Sequence, residues 1–410
     1  MRLVLVAQWI ERDVADVEVG SSTLPEDTLP HYKMRELKDF FKFLSSRILI
    51  PSRSISDWEA KNFSLQKVKL PNNKLSKDLE KLCREKGGVL TFGEFISEEM
   101  FGKNGFYNTH GEFGKTPVDS LWPKAIVNFC KENNLDSIVE VGSGDGALAK
   151  ETLKMARKMK LNLKWMGIEI NEVLLKKLQK NKFQNFFAAN SVQKLESQKS
   201  LTIFPYSLDS MPSEMIINNA ILGIKIKDGI LEEVLLSEKD LKQRDIRFKN
   251  NIFKAKNYVF DFSTWQLHKN QRAYLPISGF LEIINYVKKM DKNSKILIID
   301  EMKPAPKFIG NYHLGTPRIL NSMLRDYENL ELAYKNTGDN LWYFPMYIKP
   351  LMEFLKQLGF TDIASDGEVK TATLLKGEEL GQIGPDSCRA VIANLSNKTV
   401  KSSFKIPLPF

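Results

Sequence analysis

Ser137-Ile138-Val139-Glu140-Val141-Gly142-Ser143-Gly144-Asp145-Gly146 is the stretch on which the reading of this chain turns. An apolar run carries an acid near its end and breaks into three alternating glycines, and a helical pattern from Ala147 to about Lys160 follows at once. Burial of Ile138, Val139 and Val141 between layers predicts a core strand. The glycines allow a tight turn and let a ligand approach the backbone without a Cβ in the way. The helix start then offers unpaired N–H groups to an anionic group.

Two cofactors satisfy this pattern. Gly142, Gly144 and Ala147 fit the G-x-G-x-x-G/A dinucleotide fingerprint. Glu140, Gly142, Gly144 and Gly146 fit the version that binds S-adenosyl-L-methionine (SAM). The acid separates them, because a carboxylate at the strand tip attracts the ammonium and sulfonium of SAM and repels a pyrophosphate. A second acid, Glu169, ends the next apolar strand in Met166-Gly167-Ile168-Glu169, where a carboxylate accepts both ribose hydroxyls. A third strand, Asn185 to Ala189, ends at Asn190-Ser191, where an amide is placed to meet the adenine edge. The expected cofactor is therefore SAM, held by Glu140, Gly142, Ser143, Gly144, Gly146, Glu169, Asn190 and Ser191. A glycine turn in an unliganded α/β domain is the plain alternative.

The 410 residues predict two or three modules. Apolar content of 42% and charged content of 27% fit a soluble globular chain, and no apolar run is long enough to span a membrane. Cys83, Cys130 and Cys388 are far apart and odd in number, which argues against a disulfide framework or zinc cluster and predicts a reducing, cytoplasmic setting. The net charge of +10 is spread, with lysines interleaved with acids as in Lys74 to Lys86. That pattern predicts a solvated surface rather than a nucleic-acid face.

Residues 1–33 differ from the rest. Met1 to Ile10 is interrupted by Gln8 and has no small-residue cleavage site after it, which makes a poor signal peptide. Gly20-Ser21-Ser22 is encodable as GGT-TCG-AGT, the T-arm of a tRNA gene. The expectation is an over-extended, disordered start with Met34 as the true beginning. Residues 34–120 read as an N-terminal helical and lid segment, with helices at Met34 to Ile50 and Leu79 to Lys86 and aromatics between glycines from Gly102 to Gly114. Residues 121–212 and 276–400 read as the two halves of an α/β core with a mainly parallel sheet. Residues 213–275 read as an inserted accessory region with an Asp228-Gly229 hairpin.

Leu90 to Leu395 resembles the MidA-type SAM-dependent methyltransferases, a group that includes a mitochondrial complex I assembly factor that methylates an arginine. The resemblance lies in Phe92-Gly93-Glu94-Phe95 through Gly105-Phe106-Tyr107, in the glycine loop with Glu169, and in Leu208-Asp209-Ser210-Met211-Pro212. That last run is similar to the second half of the family's N-E-x-L-D-A-L-P element, and Pro205-Tyr206 stand where the element has Asn-Glu. Strand five ends Asp300-Glu301-Met302 rather than Asp-Tyr-Gly. The resemblance implies a class I SAM-methyltransferase fold, an α/β Rossmann-like parallel sheet with an N-terminal helical segment and an inserted accessory domain, acting on a protein.

A guanidinium acceptor is protonated and requires carboxylates to hold it. Asp209 and Asp300, with Glu301, fall near strand ends where α/β ligands bind, and are the candidate catalytic acids. Asp209 as a helix cap is the alternative. Two rivals stay open: a nucleic-acid amine methyltransferase, for which Phe204-Pro205-Tyr206 is a partial match, and a non-catalytic SAM-binding assembly factor.

Overall fold

The computed structural model describes residues 65–110, 121–180, 185–265, 272–303, 318–321, 330–344, 346–365, 388–398 and 401–407. The expected tail 1–33, the Met34 start, the helix from Met34 to Ile50, Gly111 to Gly114 and the Glu301 side chain lie outside them.

Seven strands build the core sheet: Ser137–Val141, Lys164–Ile168, Phe186–Ala189, Leu201–Pro205, Lys295–Lys303, Phe360–Ser365 and Cys388–Leu395, numbered here one to seven. Their spatial order is 6-7-5-4-1-2-3, and the short strand Met346–Tyr347 adds to the end of strand five. Strands one to five are parallel, and strand seven runs antiparallel to five and six. A dinucleotide-binding sheet runs 3-2-1-4-5-6. The antiparallel strand wedged between five and six sets this sheet apart from it.

Why these strands are apolar throughout follows from the two faces. Ile138, Leu201, Ile203, Leu297 and Ile299 pack into one buried layer with Trp122, Ile126, Leu148 and Leu153 of helices Leu121–Glu132 and Ala147–Lys158. Val139, Val141, Phe204, Ile296 and Ile298 point the other way, into a layer with Phe280, Ile284 and Phe354 of helices Ile277–Val287 and Ile348–Gln357. Alternate residues therefore face opposite sides, and both sides are covered.

The predicted division into a helical lid segment and a separate insertion does not describe the second layer. Lys67–Lys69 pairs with Ile230–Leu235, and Leu90–Thr91 with Ala220–Lys227, so both regions contribute to one six-stranded sheet. The physical reason is edge pairing: the hairpin of the insertion leaves backbone donors and acceptors that the earlier segment satisfies. The expected Asp228-Gly229 turn is present, with both residues at positive φ (53° and 72°) between paired Lys227 and Ile230. Asn218-Asn219 and Asn250-Asn251 make the same kind of turn at φ 51° and 58° each. The second of these connects Ile246–Lys249 to Ile252–Ala255, two strands within the charged stretch Glu238 to Lys256. Asparagine pairs were the available signal, since Asn tolerates left-handed backbone.

Glu214 lies beneath the start of helix Phe92–Phe101, where it accepts from Thr91 Oγ1 at 2.8 Å and Gly93 N at 3.2 Å. Burial pushes its carboxyl from the ordinary 4.5 up to about 7, against the pull of those donors. A folded-state value above the unfolded one stabilises the fold below about pH 4.5, and this contribution is lost as pH rises through 7, on the order of 2–3 kcal/mol. Thermal unfolding is therefore expected to show a lower Tm at pH 8 than at pH 5. Glu214→Gln, which imitates the protonated carboxyl, should reduce that slope, with Glu99, pushed by burial up to about 8, supplying the remainder. An unchanged slope in the variant would remove Glu214 as its source.

Candidate functional site

Strand one delivers Glu140 to the C-terminal edge of the sheet, and the chain then turns through Gly142, Gly144 and Gly146, all at positive φ (74°, 54° and 78°). Gly142 N and Ser143 N both donate to Ile168 O, which ties the loop to strand two. Glu140 Oε2 accepts from Ser143 Oγ and from Trp165 Nε1, each at 3.0 Å. Ser143 Oγ also explains Gly167, since a Cβ there would sit 2.6 Å from that oxygen. Glu169 Oε2 accepts from Gly144 N at 2.9 Å and its Oε1 from Asn171 N at 2.8 Å. Burial holds the Glu169 carboxyl above its ordinary value, and the backbone N–H groups of Asn171, Gly144 and Ile170 partly offset this.

This loop forms one wall of a cavity of about 280 Å³. Glu140, Gly142, Ser143, Gly144 and Glu169, five of the residues expected to hold the cofactor, line it. The opposite wall comes from Pro205, Tyr206, Ser207, Ser210 and Met211 after strand four, and the N-terminal segment adds Phe101 and Tyr107. Those two rings stack at 5.2 Å. Asn171 joins roof to core with one side chain: its Oδ1 accepts from Val173 N and Leu174 N, and its Nδ2 donates to Tyr107 O and Asn108 Oδ1. Tyr206 lines the cavity at φ 51°, an uncommon value for a bulky side chain.

Three expected ligand residues are placed elsewhere. Asn190 is exposed and does not line the cavity. Ser191 Oγ accepts from Gln193 N and caps the short turn Val192–Lys194. Gly146 takes the N-cap position of helix Ala147–Lys158 rather than the cavity wall.

The two candidate catalytic acids also sit behind the wall. Asp300 is fully buried, and its Oδ2 accepts from Leu208 N at 2.7 Å and Asp209 N at 3.1 Å. Asp209 is 2% exposed, and its Oδ1 accepts from Ser210 Oγ at 3.0 Å. Neither lines the cavity. Asp300 organises the turn after strand four, and Asp209 is linked to the cavity wall through Ser210, whose Oγ also accepts from Tyr107 Oη at 3.4 Å. Desolvation raises the Tyr107 hydroxyl above the ordinary phenol range. Backbone donors claim a carboxylate that follows a parallel strand, and the sequence position alone does not reveal that.

Among the described residues the cavity wall carries Glu140, Asp145, Glu169 and Glu282 and no Lys, Arg or His, in a chain of net charge +10. The sequence reading did not single out Glu282, Phe101, Asn171 or Ser207. Tyr107 had a signal, as one of the aromatics between Gly102 and Gly114. Among the described residues no group of three His, Cys, Asp or Glu is placed to hold a metal, and no helix is long and apolar enough to cross a membrane.

The architecture is that of a Rossmann-like α/β domain with an accessory layer, and solved structures share it. The chain is similar to the native crystal structure of an uncharacterized COG1565 superfamily protein from Burkholderia thailandensis, with TM-score 0.57 and 12% identity over 80% of this chain and 96% of that one. It is equally similar to a second COG1565 superfamily member from the same organism, described as a likely methyl transferase and bound to S-adenosyl-homocysteine, with TM-score 0.55 and 12% identity over 80% of this chain and 96% of that one. No family model and no curated protein matches the sequence.

Proposed function

We propose that this chain is a class I, MidA-type SAM-dependent methyltransferase of the cytoplasm that acts on a protein, with an arginine nitrogen as the acceptor the family resemblance favours. The observation that carries the cofactor is the cavity at the glycine loop, whose described wall residues include four acids and no base. SAM brings an ammonium and a sulfonium, and such a wall attracts both, whereas it repels a pyrophosphate. The bound S-adenosyl-homocysteine of the second Burkholderia protein supports the same reading.

The residues present fit the cofactor. Gly142 and Gly144 keep the loop free of side chains where a ligand backs onto it, and Glu140 is already oriented by Ser143 and Trp165. Three backbone N–H groups on Glu169 leave a lone-pair position for a ribose hydroxyl, because a carboxylate offers about four. SAM supplies an activated methyl group. The protein's own part is to align the acceptor with that methyl and exclude water, and the roof of Phe101 and Tyr107 is suited to both.

The depth of Asp209 and Asp300 favours a second reading, a SAM-binding assembly factor that transfers nothing. Incubating cell extract with the protein and methyl-labelled SAM tests the two. Label that is lost on protease treatment supports protein methylation, and label lost on nuclease treatment overturns it in favour of nucleic acid. SAM binding without any labelled product leaves the non-catalytic reading standing.

A further inference from the structure

Four carboxylates line the cavity, and three of them have partners that explain their place. Glu140 holds Ser143 and Trp165, Glu169 holds the loop and the following turn, and Asp145 accepts from Ala147 N at the start of its helix. Glu282 is different. It comes from helix Ile277–Val287, it is partly buried, and its one hydrogen-bond partner among the described residues is Asn285 Nδ2, 3.2 Å from Oε2 on its own helix. Among the described residues no cation lines the cavity to balance it. Burial raises its carboxyl above the ordinary value, the direction expected of a group that has lost water and gained little in return. A carboxylate left in this state in a cavity wall points to a donor that arrives with the ligand.

The position of Glu282 selects which donor. Its helix packs on the turn Val192–Lys194 after strand three, where Lys289 Nζ also reaches Gln193 O. That is the side of the sheet on which a nucleoside base is expected beyond the ribose acid Glu169, and Tyr286, one turn on, feels the charges of both Glu282 and Glu169. Ile170 and Leu174 line the wall as well, and Ile170 is 59% exposed, an apolar surface for a flat ring.

We propose that Glu282 is a specificity-determining residue that reads the base of the cofactor, its carboxylate accepting from the exocyclic amine of adenine in the place first expected for Asn190 and Ser191. This rests on the SAM reading above.

Calorimetry with S-adenosylhomocysteine and with S-inosylhomocysteine, which carries an oxo group in place of that amine, tests it. The wild-type protein is expected to bind the adenosyl compound at least ten times more tightly. Glu282→Ala should weaken the adenosyl compound about ten- to a hundredfold, the range for a hydrogen bond to a charged group, and leave the inosyl compound nearly unchanged. Glu282→Gln, whose amide also donates, should narrow the preference and control for loss of fold. Equal weakening of both ligands, or of neither, overturns the proposal while leaving the cofactor reading intact. Failure of the wild-type protein to bind either ligand overturns the cofactor reading, and the proposal with it.

Discussion

Replacing Gly144 with valine is expected to reduce the affinity for S-adenosylhomocysteine by at least about a hundredfold. Gly144 holds φ at +54°, where a Cβ crowds the following carbonyl and costs about 1–2 kcal/mol, more for a branched side chain. The backbone relaxes away from that value, and the Gly144 N–H leaves Glu169 Oε2. A hydrogen bond to a charged group is worth about 1.5–3 kcal/mol. Its loss frees the carboxylate expected to hold the ribose at the moment the loop moves into the cavity. The loop is then no longer preorganised for the ligand, and the expected hundredfold loss corresponds to about 2.7 kcal/mol. Calorimetry beside a thermal melt is the check, because the melt separates a damaged loop from an unfolded protein. Wild-type affinity in a folded Gly144→Val protein would sink the assignment of this loop to the cofactor.

The second large effect is on stability. Arg272 and Glu233 meet inside the accessory sheet with Nη2 to Oε2 at 2.7 Å and Nη1 to Oε1 at 2.9 Å, and both are essentially inaccessible to water. Gln66 N and Tyr334 Oη also donate to Glu233, each at 2.7 Å. The carboxylate thus accepts from the N-terminal segment, from strand Arg272–Leu275 and from helix Leu330–Lys335. Burying two ions is costly, and the pair persists because its hydrogen bonds are complete. Arg272→Met removes the cation and leaves Glu233 charged and buried, which costs about 3–5 kcal/mol. At roughly 2–4 °C per kcal/mol for chains somewhat shorter than this one, Tm should fall by about 10 °C. Double replacement by Arg272→Met and Glu233→Leu should recover part of the loss. A Tm within a degree or two of wild type in the single variant would show that the pair is not integral to the fold.

The cofactor wall was legible in part. Gly142 and Gly144 line the cavity because glycine best suits a loop that turns left-handed twice within three residues, and Glu140 and Glu169 line it because strand tips in a parallel sheet converge on one edge. Asn190 and Ser191 failed the same test, because the chain uses Ser191 to cap a turn and leaves Asn190 in water. Asp209 and Asp300 were correctly placed near strand ends, but proximity to the edge does not decide whether a carboxylate faces a ligand or a backbone amide.

The sequence by itself determined the parallel core, since apolar strands of period two alternating with helices have few other ways to bury both faces. It also determined the glycine loop and the Asp228-Gly229 turn, whose geometry is local. Only the tertiary structure decided that the N-terminal segment and the insertion share a sheet, that Phe101 and Tyr107 roof the cavity, and that Glu282 enters its wall. Those relations join residues that lie far apart along the chain, over a hundred positions in the case of the shared sheet. They depend on which strand edge, helix face or amide is left unsatisfied after the local elements have formed, and no local pattern records that.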